Sequence, residues 1–582
     1  MKSRSLQSRL LVAIVLSCVF SSDTFSQQVT WNNQVFRVDT LAENLSYPWE
    51  ITYGPDDSIW VTEARSYKVR KIHPRNKGNR VIANLINDKN FTQTSGQIWP
   101  QGGMMGLAIH PNFNGGDRYV YVAYVYRRNG TCNNGTGSPC NFNTKIVRFL
   151  YPDTGSRRYT LCYGDTLISS LTGSNDHNSG RMTIGPDNLL YYSIGDMGAG
   201  QFNNASRTNN AQVLTSNEGK ILRFNLKPDA SQTGEARWIP DTNPYPGSGP
   251  VTSKTPVYSF GHRNPQGLVW GTVNAVSRLY SSEHGDKSDD EVNIINSTAN
   301  YGWPKVAGLG DNNYNSFDGF ANNNILAGQT IGREDTFCTN QGTTAPMFSL
   351  FNATAASING LGGDIFTWPT IAPSSIDFYK DGYSNAIPGW RNSILVPSLK
   401  HGLFRLKLKM TNGAQVDSNS TASITDTIPY FHGNRIRDIA INPHGDTLYI
   451  AIDSSGNTSG PTGGFGSGSA TSTVNAGRIL RIVYLTTLAI RDYIPERPVN
   501  NRTYVKVYPN PASKTLYVQS KRGMHKPLRV EFWDMSGKLS MNLTTTRDNF
   551  AIGLEGLSRG VYIFKMYNGF GVLMTTEKII IQ

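Results

Sequence analysis

An aspartate and a histidine stand side by side in Asn175-Asp176-His177-Asn178-Ser179-Gly180-Arg181, and a second acid follows in Ile194-Gly195-Asp196. A neutral imidazole can take a proton from a hydroxyl while a carboxylate on its other nitrogen fixes the tautomer and stabilises the imidazolium. Taken alone, such a pair in a polar loop is as readily surface decoration. Cations recur further along: Arg263 and Asn264 in Phe260-Gly261-His262-Arg263-Asn264-Pro265-Gln266-Gly267, Lys400 after Val396-Pro397-Ser398-Leu399, and Arg435-Ile436-Arg437-Asp438, which alternates two arginines on one strand face. A lone basic residue faces solvent. Several at loop ends can instead converge on one polyanionic small molecule, and the planar fork of Arg suits carboxylates. Ser288-Asp289-Asp290-Glu291 lacks EF-hand spacing and reads either as a cation-holding loop or as a solvated acidic turn.

These residues need a frame, and the sequence repeats one. A Gly, Pro, Asn or Asp turn precedes a short aromatic or β-branched strand at Ile59-Trp60-Val61, Tyr119-Val120-Tyr121, Leu190-Tyr191-Tyr192, Leu279-Tyr280-Ser281, Ile394-Leu395-Val396 and Leu448-Tyr449-Ile450. Most copies lead to an apolar-basic-apolar strand, as in Val69-Arg70-Lys71-Ile72, Ile146-Val147-Arg148-Phe149 and Ile221-Leu222-Arg223-Phe224. The irregular spacing, about 55 to 115 residues, argues against a simple solenoid and suits a β-propeller with insertions in its loops. Six copies predict six blades; a pair of β-sandwiches is the competing arrangement. The expected fold is all-β, a six-bladed propeller over 27–486, then a linker over 487–502 and a small β-sandwich over 503–582.

Composition agrees with a turn-rich β protein: among 582 residues there are 57 Gly and 29 Pro, aromatic residues make 11% and charged residues only 17%. The net charge of +13 divides as +2 over 1–26, +4 over 27–486 and +7 over 487–582, so no basic stripe marks the body and no nucleic-acid partner is expected. Lys2, Arg4 and Arg9, an apolar run from Leu10 to Phe20 and small polar residues to Ser26 have the layout of a secretory signal peptide over 1–26. Leu16-Ser17 is a poor context for lipidation of Cys18. Beyond the leader remain Cys132, Cys140, Cys162 and Cys338; the first two bracket a Gly/Asn/Ser loop and suggest a local disulfide outside the cytoplasm. The Gly/Ser/Thr stretch 454–476 reads as a loop of the last blade.

In the tail, Tyr508-Pro509-Asn510-Pro511, Asp534-Met535-Ser536-Gly537, Leu557-Ser558-Arg559-Gly560-Val561-Tyr562 and the closing Lys578-Ile579-Ile580-Ile581 resemble the C-terminal sorting domain of the Bacteroidetes type IX secretion system. The resemblance implies passage through the periplasm, engagement of the type IX machinery and export to the cell surface or medium, often with removal of this domain.

In the body, Asp176-His177…Gly180-Arg181, Gly261-His262-Arg263-Asn264-Pro265-Gln266-Gly267, Trp368-Pro369-Thr370…Ala372-Pro373-Ser374-Ser375, Val396-Pro397-Ser398-Leu399-Lys400 and Arg435-x-Arg437-Asp438 follow one another in an order that resembles the soluble quinoprotein glucose and aldose sugar dehydrogenases. Those are six-bladed propellers that bind pyrroloquinoline quinone (PQQ) and calcium. The resemblance implies that His177 takes the proton of the anomeric hydroxyl while the anomeric hydride passes to a quinone carbon, that Asp196 orients His177, and that Arg263 stabilises charge developing on the quinone. It implies Gln101, Asp176 and Trp368 at the substrate, and Gln201, Asn264, Thr370, Lys400, Arg435, Arg437 and Asp453 around the cofactor. Gly285 and Asp286 would hold the catalytic calcium by backbone carbonyls, and Asp290, Glu291, Tyr301, Ala307, Asp311 and Glu334 match a structural calcium region.

The chain departs from the family where Ile365 replaces a Tyr, where Gly360 and Thr367 replace a disulfide pair, and where Asp286 replaces a Pro. Loss of the Tyr bears on glucose specificity more than on dehydrogenation. The implied activity is oxidation of an aldose to its lactone, with electrons passed to an external quinone, cytochrome or dye. A noncatalytic carbohydrate- or protein-binding propeller and a calcium-dependent lactonase-type hydrolase are the alternatives; the oligomeric state stays open, a homodimer included.

Overall fold

The structure is a computed structural model that describes residues 27–31, 34–92, 99–129, 141–247, 254–314, 333–350, 352–354, 356–357, 368–400, 402–417, 434–454, 473–485, 505–520, 526–567 and 573–582. The leader over 1–26, Cys132 and Cys140, Gly360, Ile365 and Thr367, most of the 454–476 stretch and the linker over 487–502 lie outside the described residues. The chain divides into two compact units, 1–487 and 488–582.

Among the described residues the first unit holds six antiparallel sheets. Sheet 1 starts with Pro48–Tyr53, sheet 2 with Met104–Ile109, sheet 3 with Met182–Ile184, sheet 4 with Pro265–Val273, sheet 5 with Asp377–Tyr379 and sheet 6 with Ile436–Ile441. Each runs on as a meander of sequence neighbours. The six sequence recurrences occupy the second and third strands, for instance Ile59–Glu63 and Lys68–Ile72 of sheet 1. Sheet 6 is completed from the other end of the unit: Gln34–Ala42 pairs with Ile479–Leu485 in the register Val35↔Leu485 to Thr40↔Leu480.

The leading strand of every sheet contacts that of the next, and the leading strand of sheet 6 contacts that of sheet 1. Apolar cores follow the same circuit. Trp60 and Val69 meet Leu107 and Val120 between sheets 1 and 2, and Tyr121 and Ile146 meet Leu190 and Leu222 between sheets 2 and 3. Tyr191 and Ile221 meet Leu268 and Leu279, Tyr280 and Val292 meet Phe378 and Ile394, and Tyr379 and Leu395 meet Ile439 and Ile450. Ala440 and Tyr449 return to Ile51 and Ile59. The second strands are buried on both faces, so both of their alternating residue sets are apolar and they read as continuous hydrophobic runs.

In the second unit, one sheet joins Val505–Tyr508, Thr515–Ser520 and Asn549–Gly553, and another joins Leu539–Thr545, Leu528–Asp534, Gly560–Tyr567 and Leu573–Ile581. Leu516, Val518 and Ile552 from the first share a core with Val530, Phe532 and Phe564 from the second. Among the described residues no helix is long and apolar enough to cross a membrane.

Candidate active site

His177 and Asp196 lie on the connections that flank the first two strands of sheet 3, Met182–Ile184 and Leu189–Ile194. Gly195 makes their approach possible: a Cβ there would stand 2.1 Å from the carbonyl oxygen of His177. The ring nitrogen Nδ1 of His177 is 2.7 Å from Asp196 Oδ1. Asp196 is 1% exposed, and it also accepts from the Gly198 amide at 2.9 Å, Trp303 Nε1 at 2.7 Å and Asn209 Nδ2 at 3.0 Å. Burial alone would raise its pKa, but the neighbouring His177, Arg263 and Trp303 outweigh burial and hold the carboxyl below its ordinary value. An ionised Asp196 only accepts, so Nδ1 of His177 carries the proton and Nε2 presents its lone pair.

That lone pair faces amides and an acid. Gln201 Nε2 donates to His177 Nε2 at 2.8 Å and to Asp176 Oδ2 at 2.8 Å. Gln101 Nε2 reaches Asp176 Oδ1 at 3.3 Å, and Gln101 Oε1 accepts from the Asn178 amide at 2.8 Å. Arg263 Nη2 donates to Gln201 Oε1 at 2.8 Å and lies 3.4 Å from Asp286 Oδ1. The structure thus gathers Gln101, Asp176, His177, Asp196, Gln201, Arg263 and Asp286 into one connected network.

Two further arms surround it. Lys400 Nζ, on a residue 5% exposed, donates to the Trp368 carbonyl and to Thr370 Oγ1, both at 2.9 Å. Arg435 Nε and Arg437 Nη2 both donate to Asp453 Oδ2, at 2.9 and 2.8 Å, while Arg437 Nη1 reaches Gln266 Oε1 at 2.9 Å. Two guanidinium groups thus share one carboxylate. Arg263 Nε, Asn264 Nδ2 and His284 Nε2 are buried polar atoms with no hydrogen-bond partner. Natural interiors rarely leave such atoms orphaned unless a ligand or ion completes them. This cation excess and the orphaned Arg263 and Asn264 donors fit a small anionic cofactor.

The acidic loop is tied to the same place. Asp290 accepts from the Gly285 amide at 2.9 Å and from the Ile371 and Ala372 amides at 2.5 and 3.0 Å, joining the Gly285–Asp286 turn to the Thr370 segment. Gly285 has no room for a side chain, since a Cβ would stand 1.9 Å from the Ser288 carbonyl oxygen. Glu291 accepts from the Gly308 amide at 2.8 Å, and Glu334 from the Ala307 and Tyr314 amides at 3.1 and 3.2 Å. Asp311 accepts from the Asn313 amide and Asn352, and Tyr301 donates its hydroxyl to the Ile294 carbonyl at 2.5 Å. Among the described residues no three His, Cys, Asp or Glu side chains stand together as a metal cage. The oxygen-only donor set of carbonyls and carboxylates nevertheless matches what calcium takes. Burial, only partly offset by the Ala307 and Tyr314 amides, pushes Glu334 up to about 7.

Sequence reading passed over several residues that complete the site. Trp303 holds Asp196 by its indole and lies 5.3 Å from the Arg263 guanidinium carbon; a Trp in the Gly302-Trp303-Pro304 turn was the available sign. Glu283 accepts from the Arg263 amide and is 2.9 Å from His262 Nδ1, whose Nε2 meets Ser259 Oγ at 2.9 Å. Arg181 ion-pairs with Glu50 at 2.6 Å and Asp438 at 2.9 Å and donates to the Gln266 and Ser374 carbonyls, so it binds sheets 1, 4 and 6 and the segment before sheet 5.

Comparison with known proteins gives these geometries a context. Residues 45–459 match the family described as Glucose / Sorbosone dehydrogenase, and residues 506–582 match the secretion system C-terminal sorting domain. Quinoprotein glucose dehydrogenase B of Acinetobacter calcoaceticus is 33% identical over 79% of this chain and 94% of its own. Aldose sugar dehydrogenase YliI of Escherichia coli is 25% identical over 72% and 90%. A crystal structure of glucose dehydrogenase superposes with a TM-score of 0.50 at 21% identity, over 76% of this chain and 98% of that one.

Proposed function

The chain belongs to the glucose/sorbosone dehydrogenase family and ends in a type IX sorting domain, and from that premise we propose that it is an exported, PQQ- and calcium-dependent aldose dehydrogenase that oxidises the anomeric C–OH of a sugar to a lactone. The observation that carries this reading is the His177–Asp196 pair at 2.7 Å, with the lone pair of Nε2 turned toward the Gln201 amide, which Arg263 holds in turn. The quinoprotein name of the Acinetobacter relative supports the cofactor.

In this reading the sugar's anomeric hydroxyl takes the place of the Gln201 amide on His177 Nε2 and gives up its proton there, while Asp196 stabilises the imidazolium. Asp176, Gln101 and Trp368 hold the sugar so that its C1–H points away from the base. Lys400 with Thr370, Arg435 and Arg437 with Asp453, and Asn264 would hold the anionic cofactor, and Arg263 would stabilise negative charge developing on it. When bound, the quinone supplies a two-electron acceptor for the C1 hydride and calcium supplies a Lewis acid that polarises it. Gly285 and Asp286 would hold that ion by backbone oxygens, and Glu291, Asp311 and Glu334, with Asp290 and the carbonyls of Tyr301 and Ala307, a second one.

The closed circuit of six sheets and six cores supports a six-bladed propeller over 27–486, and the shared core of the two tail sheets supports a β-sandwich over 503–582. The basic leader over 1–26 supports a signal peptide. The test is reconstitution of the apo-protein with calcium and PQQ, followed by dye reduction across a panel of aldoses. Sugar-dependent reduction that His177→Ala abolishes is expected. No sugar reducing the dye, or His177→Ala at wild-type rate, would overturn the reading.

A further inference from the structure

Between Gln101 and Asp453 the rim of the site is aromatic and cationic. Tyr47, held at φ 55°, donates its amide to the hydroxyl of Ser454, the neighbour of Asp453, at 2.6 Å. The Arg65 guanidinium lies 3.8 Å above the Tyr47 ring, donates to its hydroxyl at 2.8 Å, and stands 5.5 Å from the Trp99 ring. Trp99, two residues ahead of Gln101, meets Phe91 edge-on at 6.3 Å. Lys89 Nζ closes the row at 4.6 Å from Phe91 and 4.9 Å from Trp99. Tyr47 thus adjoins Ser454 next to Asp453, and Trp99 is two residues from Gln101, whose amide reaches Asp176.

Its charge is unbalanced. Lys89 is only 8% exposed, yet among the described residues it makes no hydrogen bond and no ion pair; ring faces are its sole partners. Burial and the nearby Arg128 both push its pKa down, and burial does the same to Arg65, which has no carboxylate within ion-pair distance among the described residues. Cation–π contacts return less than withdrawing an ammonium from water costs, and the remainder is normally met by an anion. Exposed or half-buried Tyr47 and Trp99 rings meanwhile offer flat apolar faces of the kind that cover one side of a pyranose.

We propose that the Tyr47–Arg65–Trp99–Lys89 ledge is a subsite for an acidic sugar unit, so that the substrate is an anionic saccharide whose reducing-end aldose sits at His177 and whose next unit bears a carboxylate. The proposal deepens the dehydrogenase reading and rests on it for the position of the reducing end. The ledge supplies stacking from Trp99 and Tyr47, and charge-assisted hydrogen bonds from Arg65 and Lys89.

The full-length apo-protein is titrated, with tryptophan fluorescence as readout, against a neutral disaccharide, a disaccharide of the same linkage with a terminal uronate, and its sulfated counterpart. The reconstituted enzyme is then assayed on the same sugars. Wild type should bind the uronate about tenfold more tightly than the neutral disaccharide, with an advantage that shrinks as salt is raised; Arg65→Gln and Lys89→Gln should each erase most of it while leaving oxidation of a neutral monosaccharide unchanged. Equal binding of neutral and acidic disaccharides by wild type overturns the proposal, as does an advantage that survives in both variants. Preference for the sulfated sugar alone overturns the carboxylate assignment. Variants that alter only the rate of acceptor reduction also overturn it, by making the ledge a dock for the electron acceptor. Selective uronate binding with no sugar oxidised would retain the subsite and remove the dehydrogenase reading, so the two fail separately.

Discussion

Asp196 accepts four hydrogen bonds, and the one from His177 Nδ1, at 2.7 Å, decides which nitrogen of the imidazole is basic. Replacing Asp196 with Asn keeps the shape and removes the acceptor-only partner. The turnover of the reconstituted enzyme should fall by roughly a thousandfold or more, as when a comparable orienting carboxylate is neutralised. Stability supplies a second readout. Because the folded-state pKa of Asp196 is depressed, its contribution is present at neutral pH and is lost as pH falls through and below the ordinary carboxylate range near 4. Asp196→Asn should therefore lose stability at pH 7 and show a flatter acid limb in urea melts.

Arg263 touches Gln201 and Asp286 with one nitrogen and leaves Nε buried and unmatched. Arg263→Lys keeps the charge and loses the fork. Dye reduction at saturating sugar should drop by about a hundredfold, whereas the KM for sugar should change little. An unchanged turnover would show that charge alone suffices there.

Arg181 is 3% exposed and stands between Glu50 and Asp438, with Glu50 pushed up to about 8 chiefly by burial. Arg181→Met strands two buried carboxyls. A loss of about 3–5 kcal/mol in denaturant unfolding at pH 7 is expected.

Gly285→Ala puts a methyl group where the Ser288 carbonyl stands, so the turn must open. Wild-type melting temperature should fall on chelation with EGTA and recover with added calcium. In Gly285→Ala that recovery should need at least tenfold more calcium, read from the melting temperature against calcium concentration.

The second and third strands of each sheet were legible because they are sandwiched between neighbours and carry apolar residues on both faces, as in Ile59-Trp60-Val61 and Leu190-Tyr191-Tyr192. The leading strands were not. Two of them, Met182–Ile184 and Asp377–Tyr379, have only three residues, and the other four shift register between Pro48 and Ile51, Met104 and Leu107, Pro265 and Gly267, and Ile436 and Asp438. Bulges of that kind break the two-residue period and turn side chains such as Gln266 and Arg437 toward partners on other sheets. His177, Arg263 and the Arg435/Arg437 pair could be picked out by residue type and order. Trp303, Glu283 and the Glu50–Arg181–Asp438 triad could not, since their partners lie 107, 20 and more than 130 residues away and no local pattern records them.

Sheet 6 draws its fourth strand, Gln34–Ala42, from the start of the body and its third, Ile479–Leu485, from the end. A chain made from its N-terminus can pair Gln34–Ala42 only with the preceding Gln27–Trp31, and its other edge stays open until some 440 further residues have followed it. Completion of the ring is thus an event at the close of synthesis. A truncation that removes only Ile479–Leu485 should leave the earlier sheets with matched neighbours and an exposed seam, and such a product should aggregate through Gln34–Ala42 before it fails in any other way.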